Sequence, residues 1–154
     1  MAGKIESRLA ELGITLPAAT APAANYVPFV FTGNQLWVSG QIPMIDGNMP
    51  YKGRLGDSVP LEDGQAAARL CALNIVAQVK EATGDLDRVA RFVKLVGFVN
   101  TAPGFGDQPK VVNGASDTIV EIFGDKGRHA RSAVGVAGLP FDVAVEVEAV
   151  VELA

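Results

Sequence analysis

Two charged residues, Arg131 and Glu146, stand out in the last quarter of the chain, HARSAVGVAGLPFDVAVEVEAVVELA (His129 to Ala154). The stretch reads as two β-strands joined by a Gly-Leu-Pro turn, and each charge interrupts a run of aliphatic or small residues. An arginine presents a planar fork matched to a carboxylate. A glutamate near it can orient a water and take its proton. In the last strand Val143, Val145, Val147, Ala149, Val151 and Leu153 fall on one face, with Ala144, Glu146, Glu148, Val150 and Glu152 on the other. In the preceding strand Ser132, Val134 and Val136 form the more apolar face, and Arg131, Ala133 and Gly135 the other. If both apolar faces meet the core, Arg131 and Glu146 share the uncovered face, and Ala133 and Gly135 leave room beside the arginine. Two readings fit such a pair: a site that binds and hydrates a small acid, or a structural ion pair at a subunit interface.

The remaining candidates carry less. His129 is the only histidine, and beside Arg128 and Arg131 at a strand entry it reads as a partly exposed polar residue. No nucleophile elbow accompanies it, so a Ser-His-Asp arrangement has no support. Cys71, the only cysteine, falls mid-helix beside an apolar stripe and reads as a small core residue. One Cys and one His exclude an intramolecular disulfide and a His/Cys metal cluster, so no such metal centre is expected. Gly104-Phe105-Gly106 lacks the third glycine of a dinucleotide fingerprint, and there is no P-loop. Asn113, near the start of a helix, is open between capping, packing and facing a cleft. Tyr26 and Trp37, on strands, belong to core or interface.

The elements that must position these residues follow from periodicity. Ile5, Leu9 and Leu12 predict a short amphipathic helix over Lys4 to Leu12, stopped by Gly13. The Pro/Ala run LPAATAPAAN then continues extended to Tyr26. Tyr26 to Phe31 and Leu36 to Gln41 are strand-like, and the Gly-Asn between them signals a hairpin. A long Gly/Pro loop, Pro43 to Pro60, either borders a site or is plain surface. Ala68, Ala72, Ile75, Val76 and Val79 predict a helix over Leu61 to Thr83, capped by Gly84. Val89 to Val99 is apolar on both alternations, as in an interior strand. Val112, Ala115, Ile119 and Ile122 mark a second long helix, closed by Gly124. The order ββαβαββ predicts an α+β fold, a sheet with two helices packed on one face. The helix-free face still carries Val and Ala, which predicts self-association.

At 154 residues the chain fits one domain, divided as an N-terminal helix and strap (1–25) and the body (26–154). The hydrophobic fraction of 49% suits a buried core. With a net charge of −4 and scattered basic residues, nucleic acid is disfavoured as a partner. The N-terminus is too polar for a signal peptide, and no apolar run approaches the ~18 residues of a membrane span. A cytoplasmic protein with no membrane partner is expected.

Three segments, YVPFVFTGNQLWVSGQIP (Tyr26 to Pro43), VVNGASDTIVEIF (Val111 to Phe123) and ARSAVGVAGLPFDVAVEVEAV (Ala130 to Val150), together resemble the Rid/YjgF family. Its members are reactive-intermediate deaminases, often labelled endoribonuclease L-PSP. The resemblance implies a chorismate-mutase-like fold assembled as a homotrimer, with clefts between subunits. It implies that Arg131 binds a substrate carboxylate and that Glu146 positions the attacking water. Tyr26, Gly40, Asn113 and the position of Ala133 would line the same cleft, with the Tyr26 hydroxyl beside Glu146 in orienting the water. Many deaminases of the family have cysteine where this chain has Ala133. The strap and the Pro43 to Pro60 loop are additions to the shortest members. The implied reaction is that of a 2-iminobutanoate/2-iminopropanoate deaminase: hydrolysis of a 2-imino or 2-enamino acid to a 2-keto acid and ammonia, without a cofactor. The alternative is a non-enzymatic binder of small carboxylates or 2-keto acids. A ribonuclease or translation inhibitor fits the acidic chain less well.

Overall fold

The structure is a computed structural model and describes residues 2–22 and 24–154. Helix α1 (Lys4–Glu11) is followed by strands β1 (Phe29–Thr32) and β2 (Gln35–Gln41), then α2 (Leu61–Thr83), β3 (Val89–Asn100), α3 (Gln108–Phe123), β4 (Ala130–Val136) and β5 (Val145–Leu153). The strands form one mixed sheet in the order β1-β2-β5-β3-β4. Neighbours are antiparallel except β3 and β4, which run parallel. The first strand begins at Phe29, three residues later than the alternation suggested.

Both long helices lie on one face, as predicted. From α2, Ala68, Ala72, Ile75, Val76 and Val79 are fully buried against Leu36, Leu95, Val147 and Val151 of the sheet. Val111, Val112, Ala115 and Ile119 of α3 complete this core. The two helices cross closely where α3 carries Gly114 against the backbone of α2. A Cβ on Gly114 of α3 would lie 2.1 Å from the carbonyl oxygen of Gln65 in α2. Gly84 ends α2 in the left-handed region at φ 71°, which an L-residue enters at a steric cost.

The strap is sewn to the body by polar contacts. Helix α1 has no side-chain cap of its own, and Asp87, far along the chain, supplies one. Its carboxylate accepts from the backbone N–H groups of Lys4 (2.8 Å) and Ile5 (2.9 Å). These bonds hold the Asp87 carboxyl below its ordinary range. Leu9 is buried, and Lys80 pairs with Glu6 at 2.8 Å.

One expectation fails here. The last two strands are not a bonded pair: β3 lies between them, so the Gly-Leu-Pro segment is a crossover. Phe141 and Asp142 of that crossover both adopt φ 59°, unusual for residues with a Cβ. The helix-free face is uncovered in the single chain: Val30, Trp37 and Val134 are exposed, and β3 is only half-buried there at Val96 and Phe98.

Candidate active site

The residues singled out in sequence fall into two groups, on opposite sides of the sheet. In β5, Glu146 points to the helix-free face, as its alternation required: Val145 and Val147 on either side are fully buried. Its carboxylate lies over Gly40, where the register between β2 and β5 slips by a bulge. A Cβ on Gly40 would sit 2.6 Å from Glu146 Oε1, so glycine leaves the space that the carboxylate fills. Tyr26, Gly40 and Glu146 line one cavity of about 230 Å³. Burial, and then the neighbouring charge of Glu148, push the Glu146 carboxyl up, toward the range useful to a general base.

Arg131 belongs to the other group. In the β3–β4 register it lies beside Leu95, and Leu95 pairs with Ala149, a helix-facing residue. Arg131, Ala133 and Gly135 therefore face the helices, while Ser132, Val134 and Val136 face away. The expectation that Arg131 and Glu146 share the uncovered face is thus incorrect. The physical reason is that β4 is an edge strand pressed by the start of α3. A Cβ on Gly135 would lie 2.8 Å from Gln108 Nε2 of α3 and 2.7 Å from Thr101 Oγ1. Only small side chains, or one long enough to reach past the helix, fit on that side. The valines turn outward.

The Arg131 guanidinium reaches α3, where Nη1 donates to Asn113 Oδ1 (2.8 Å) and Ser116 Oγ (3.1 Å) and Nη2 donates to the Pro109 carbonyl (3.3 Å). Five N–H groups less these three leave Nε–H and one Nη2–H, adjacent donors that a carboxylate can take bidentately. Among the described residues no carboxylate lies within ion-pair distance of Arg131, nor any cation near Glu146. The ion-pair reading therefore has no support within one chain. Asn113, left open by sequence, faces the arginine, and Ala133 lies on the same side of β4, packed against the core.

Two residues strands apart on opposite faces do not meet. Arg131 lies in register with Leu95 and Glu146 with Phe98. Two strand spacings and three residues of rise separate their Cα atoms by roughly 14 Å. A small acid cannot touch both in one chain.

Several residues of these groups escaped sequence reasoning. Ser116 links Arg131 to His129, whose Nε2 lies 2.9 Å from Ser116 Oγ and whose Nδ1 lies 2.6 Å from the Gly127 carbonyl oxygen. His129 is half-buried, in line with the partly exposed polar residue expected, and desolvation is the first cause that lowers its pKa. Met44, Met49 and Phe141 join the cavity of Glu146. The one available signal was Asn74 and Gln78, amides set one turn apart on the buried side of α2. Cys71 is buried, as expected. Among the described residues no group of three or more His, Cys, Asp or Glu is placed to hold a metal, and no helix is long and apolar enough to cross a membrane.

Comparison with known proteins agrees with this architecture. Residues 6–153 match the family model described as "YjgF/chorismate_mutase-like, putative endoribonuclease". Protein TCP17 of Trypanosoma cruzi is 57% identical over 98% of this chain and 95% of its own. A 2-iminobutanoate/2-iminopropanoate deaminase of Dermatophagoides farinae is 33% identical over 90% of this chain and 93% of its own. A crystal structure of an Agrobacterium tumefaciens protein of unknown function superposes with a TM-score of 0.91, at 52% identity, over 97% of this chain and 92% of that one. The mixed five-stranded sheet backed by helices, with the SGQ and VEVEA segments at the Glu146 cavity and the ARS segment on β4, belongs to a member of the YjgF/Rid family.

Proposed function

We infer that the protein hydrolyses 2-imino and 2-enamino acids to 2-keto acids and ammonia, in clefts formed between copies of the chain. The observation that carries this is the separation of Arg131 from Glu146. Among the described residues each is unpaired by charge, each is partly buried with its neighbours arranged around it, yet no small substrate reaches both within one chain. A second copy that lays its β4–α3 edge against the Tyr26–Gly40–Glu146 cavity completes the site. The two surfaces differ, so the contact is head-to-tail and closes into a ring. The homotrimer implied by the family resemblance is such a ring, and it would cover the exposed valines and Trp37 of the helix-free face.

In this cleft Arg131 holds the substrate carboxylate on Nε and Nη2, with Asn113 and Ser116 fixing the guanidinium from behind. That contact sets the position of C2; orientation of this kind is worth several kcal/mol of barrier. Glu146 of the other copy takes a proton from water as the oxygen bonds to C2. The C=N π pair moves to nitrogen, which takes that proton back from Glu146 and becomes the amine of a carbinolamine. In the collapse Glu146 takes the hydroxyl proton as the C=O bond forms and the C–N bond breaks, and passes it to the leaving nitrogen, so ammonia and the 2-keto acid depart and the carboxylate is restored. Tyr26 lines the same cavity and can donate its hydroxyl to the developing oxygen or nitrogen. The substrate is already electrophilic, so the residues present supply every step. The named deaminase activity of the Dermatophagoides relative supports the same chemistry. RNA cleavage is the weaker reading, because a chain of net charge −4 with basic residues scattered along its sequence has little to neutralise phosphates.

The test is a coupled assay with freshly generated 2-aminoacrylate, reading pyruvate release over the uncatalysed rate. Acceleration by the wild type that is lost in Arg131→Ala, with assembly intact, supports the reading. Binding of keto acids without any acceleration sinks it and leaves a carboxylate-binding protein.

A further inference from the structure

The cavity beside Glu146 has a wall that the reaction itself does not require. Ala21 and Pro22 of the strap, Ile42, Met44 and Met49 of the following loop, and Phe141 of the β4–β5 crossover enclose it. All are apolar, and two are thioethers that adapt to varied shapes. This wall is fixed from beneath by α2. The Asn74 side-chain amide donates to the carbonyls of Ile42 and Met44, both at 2.9 Å. One turn on, the Gln78 amide donates to the Thr20 carbonyl at 2.8 Å. Both amides are buried, at 8% and 1% exposure, where an unbonded amide would be costly. Their bonds tie the strap and the loop to the helical layer at the points where those segments meet the cavity.

The polar groups near the floor are engaged with backbone. Ser39 Oγ donates to the Val27 carbonyl (2.7 Å), and Gln41 Nε2 to the Ser39 carbonyl (2.9 Å). With Asn74 also occupied, a polar substrate side chain finds few donors here. A methyl group alone would touch little of the apolar wall of this cavity of about 230 Å³.

The geometry points to a side-chain subsite: the protein prefers 2-imino and 2-keto acids with an apolar side chain of about three to five heavy atoms, and the strap sets the upper limit. This rests on the hydrolase reading for the placement of C2 over Glu146. With the carboxylate drawn to the neighbouring copy's arginine, the substituent on C2 enters the apolar wall. One methylene in an apolar pocket discriminates by roughly 10- to 200-fold.

Two measurements on the full-length protein test it. Calorimetric titration compares pyruvate with 4-methyl-2-oxopentanoate, and imine decay compares the imino acids generated from alanine and leucine by an amino-acid oxidase. At least tenfold preference for the leucine-derived compound is expected in each. Ala21→Phe, which grows a ring from the strap into the cavity, should reduce that ratio at least tenfold. Equal or tighter binding of pyruvate, or a ratio that Ala21→Phe leaves unmoved, overturns the subsite. Selective binding of 4-methyl-2-oxopentanoate with no imine hydrolysis upholds the subsite and removes the hydrolase reading. Hydrolysis without preference for the larger side chain does the reverse.

Discussion

If the active cleft joins Arg131 of one copy to Glu146 of the next, two inactive variants should repair each other. Arg131→Ala loses the carboxylate clamp and Glu146→Gln the base, and each homomer should lose at least about 100-fold in kcat/KM. Mixed one to one and reassembled at random, a cleft works only where the arginine donor is the Glu146→Gln chain and the glutamate donor is the Arg131→Ala chain. Each choice has a probability of one half, so about a quarter of clefts, and about a quarter of wild-type activity, should return in a head-to-tail ring. A second mixture sharpens the reading: wild type with the double variant gives about a quarter for a shared site and about half for a site within one chain. The assay is ammonia release from freshly generated imine, on pools co-refolded from denaturant and checked for size. The two residues lie roughly 14 Å apart on opposite faces of one chain, and that separation is why recovery is expected. A mixture that stays at the level of its parents would refute the shared cleft.

Other consequences can be checked separately. Gly40→Ala places a Cβ 2.6 Å from Glu146 Oε1; displacing the carboxylate should cut kcat by about 10- to 100-fold, with little change in Tm by calorimetry. Glu146→Gln should be more stable than wild type at pH 8. The folded state raises this carboxyl's pKa, so its favourable contribution is complete only below the unfolded value and is lost as pH rises through the folded one. The stability difference should therefore shrink as denaturation is repeated toward pH 4. Ser116→Ala removes one hydrogen bond from the Arg131 guanidinium, for which a KM rise of roughly 2- to 12-fold with kcat little changed is expected. Gly114→Ala meets a backbone carbonyl 2.1 Å away that cannot swing aside; about 3 kcal/mol of destabilisation should result, read as a Tm lower by roughly 6–12 °C.

The helices and the last strand were legible in sequence because each has one buried side and a clean terminus. Leu61 to Thr83 shows a stripe of period 3.6 and a following Gly84, and the helix has those bounds. Val145 to Leu153 alternates apolar with charged residues except at Val150, and its burial alternates throughout. Strand β4 was misread because its apolar side does not face its own core. Val134 is 43% exposed in the single chain while Ala133, on the other side of the strand, packs against the core, an arrangement that fits a strand whose apolar side meets another copy. Parallel pairing of β3 with β4, with β5 on the far side of β3, depends on long-range contacts that no local pattern encodes. Arg131 and Glu146 were recognised by type, but their separation emerged only from strand order and register. Ser116 and Phe141 left no local signal, since a helical serine and a phenylalanine after proline are common in plain surroundings.

The single cysteine has a practical consequence. Cys71 is fully buried in α2, and burial raises its thiol pKa far above the ordinary range, so little thiolate forms at neutral pH and reagents cannot reach it. The native chain is in effect blank to thiol labelling. A cysteine introduced by Ala130→Cys, at the exposed position next to the arginine, would then be the sole reactive thiol. A fluorophore or spin label there would report from beside Arg131, without first having to remove any native residue.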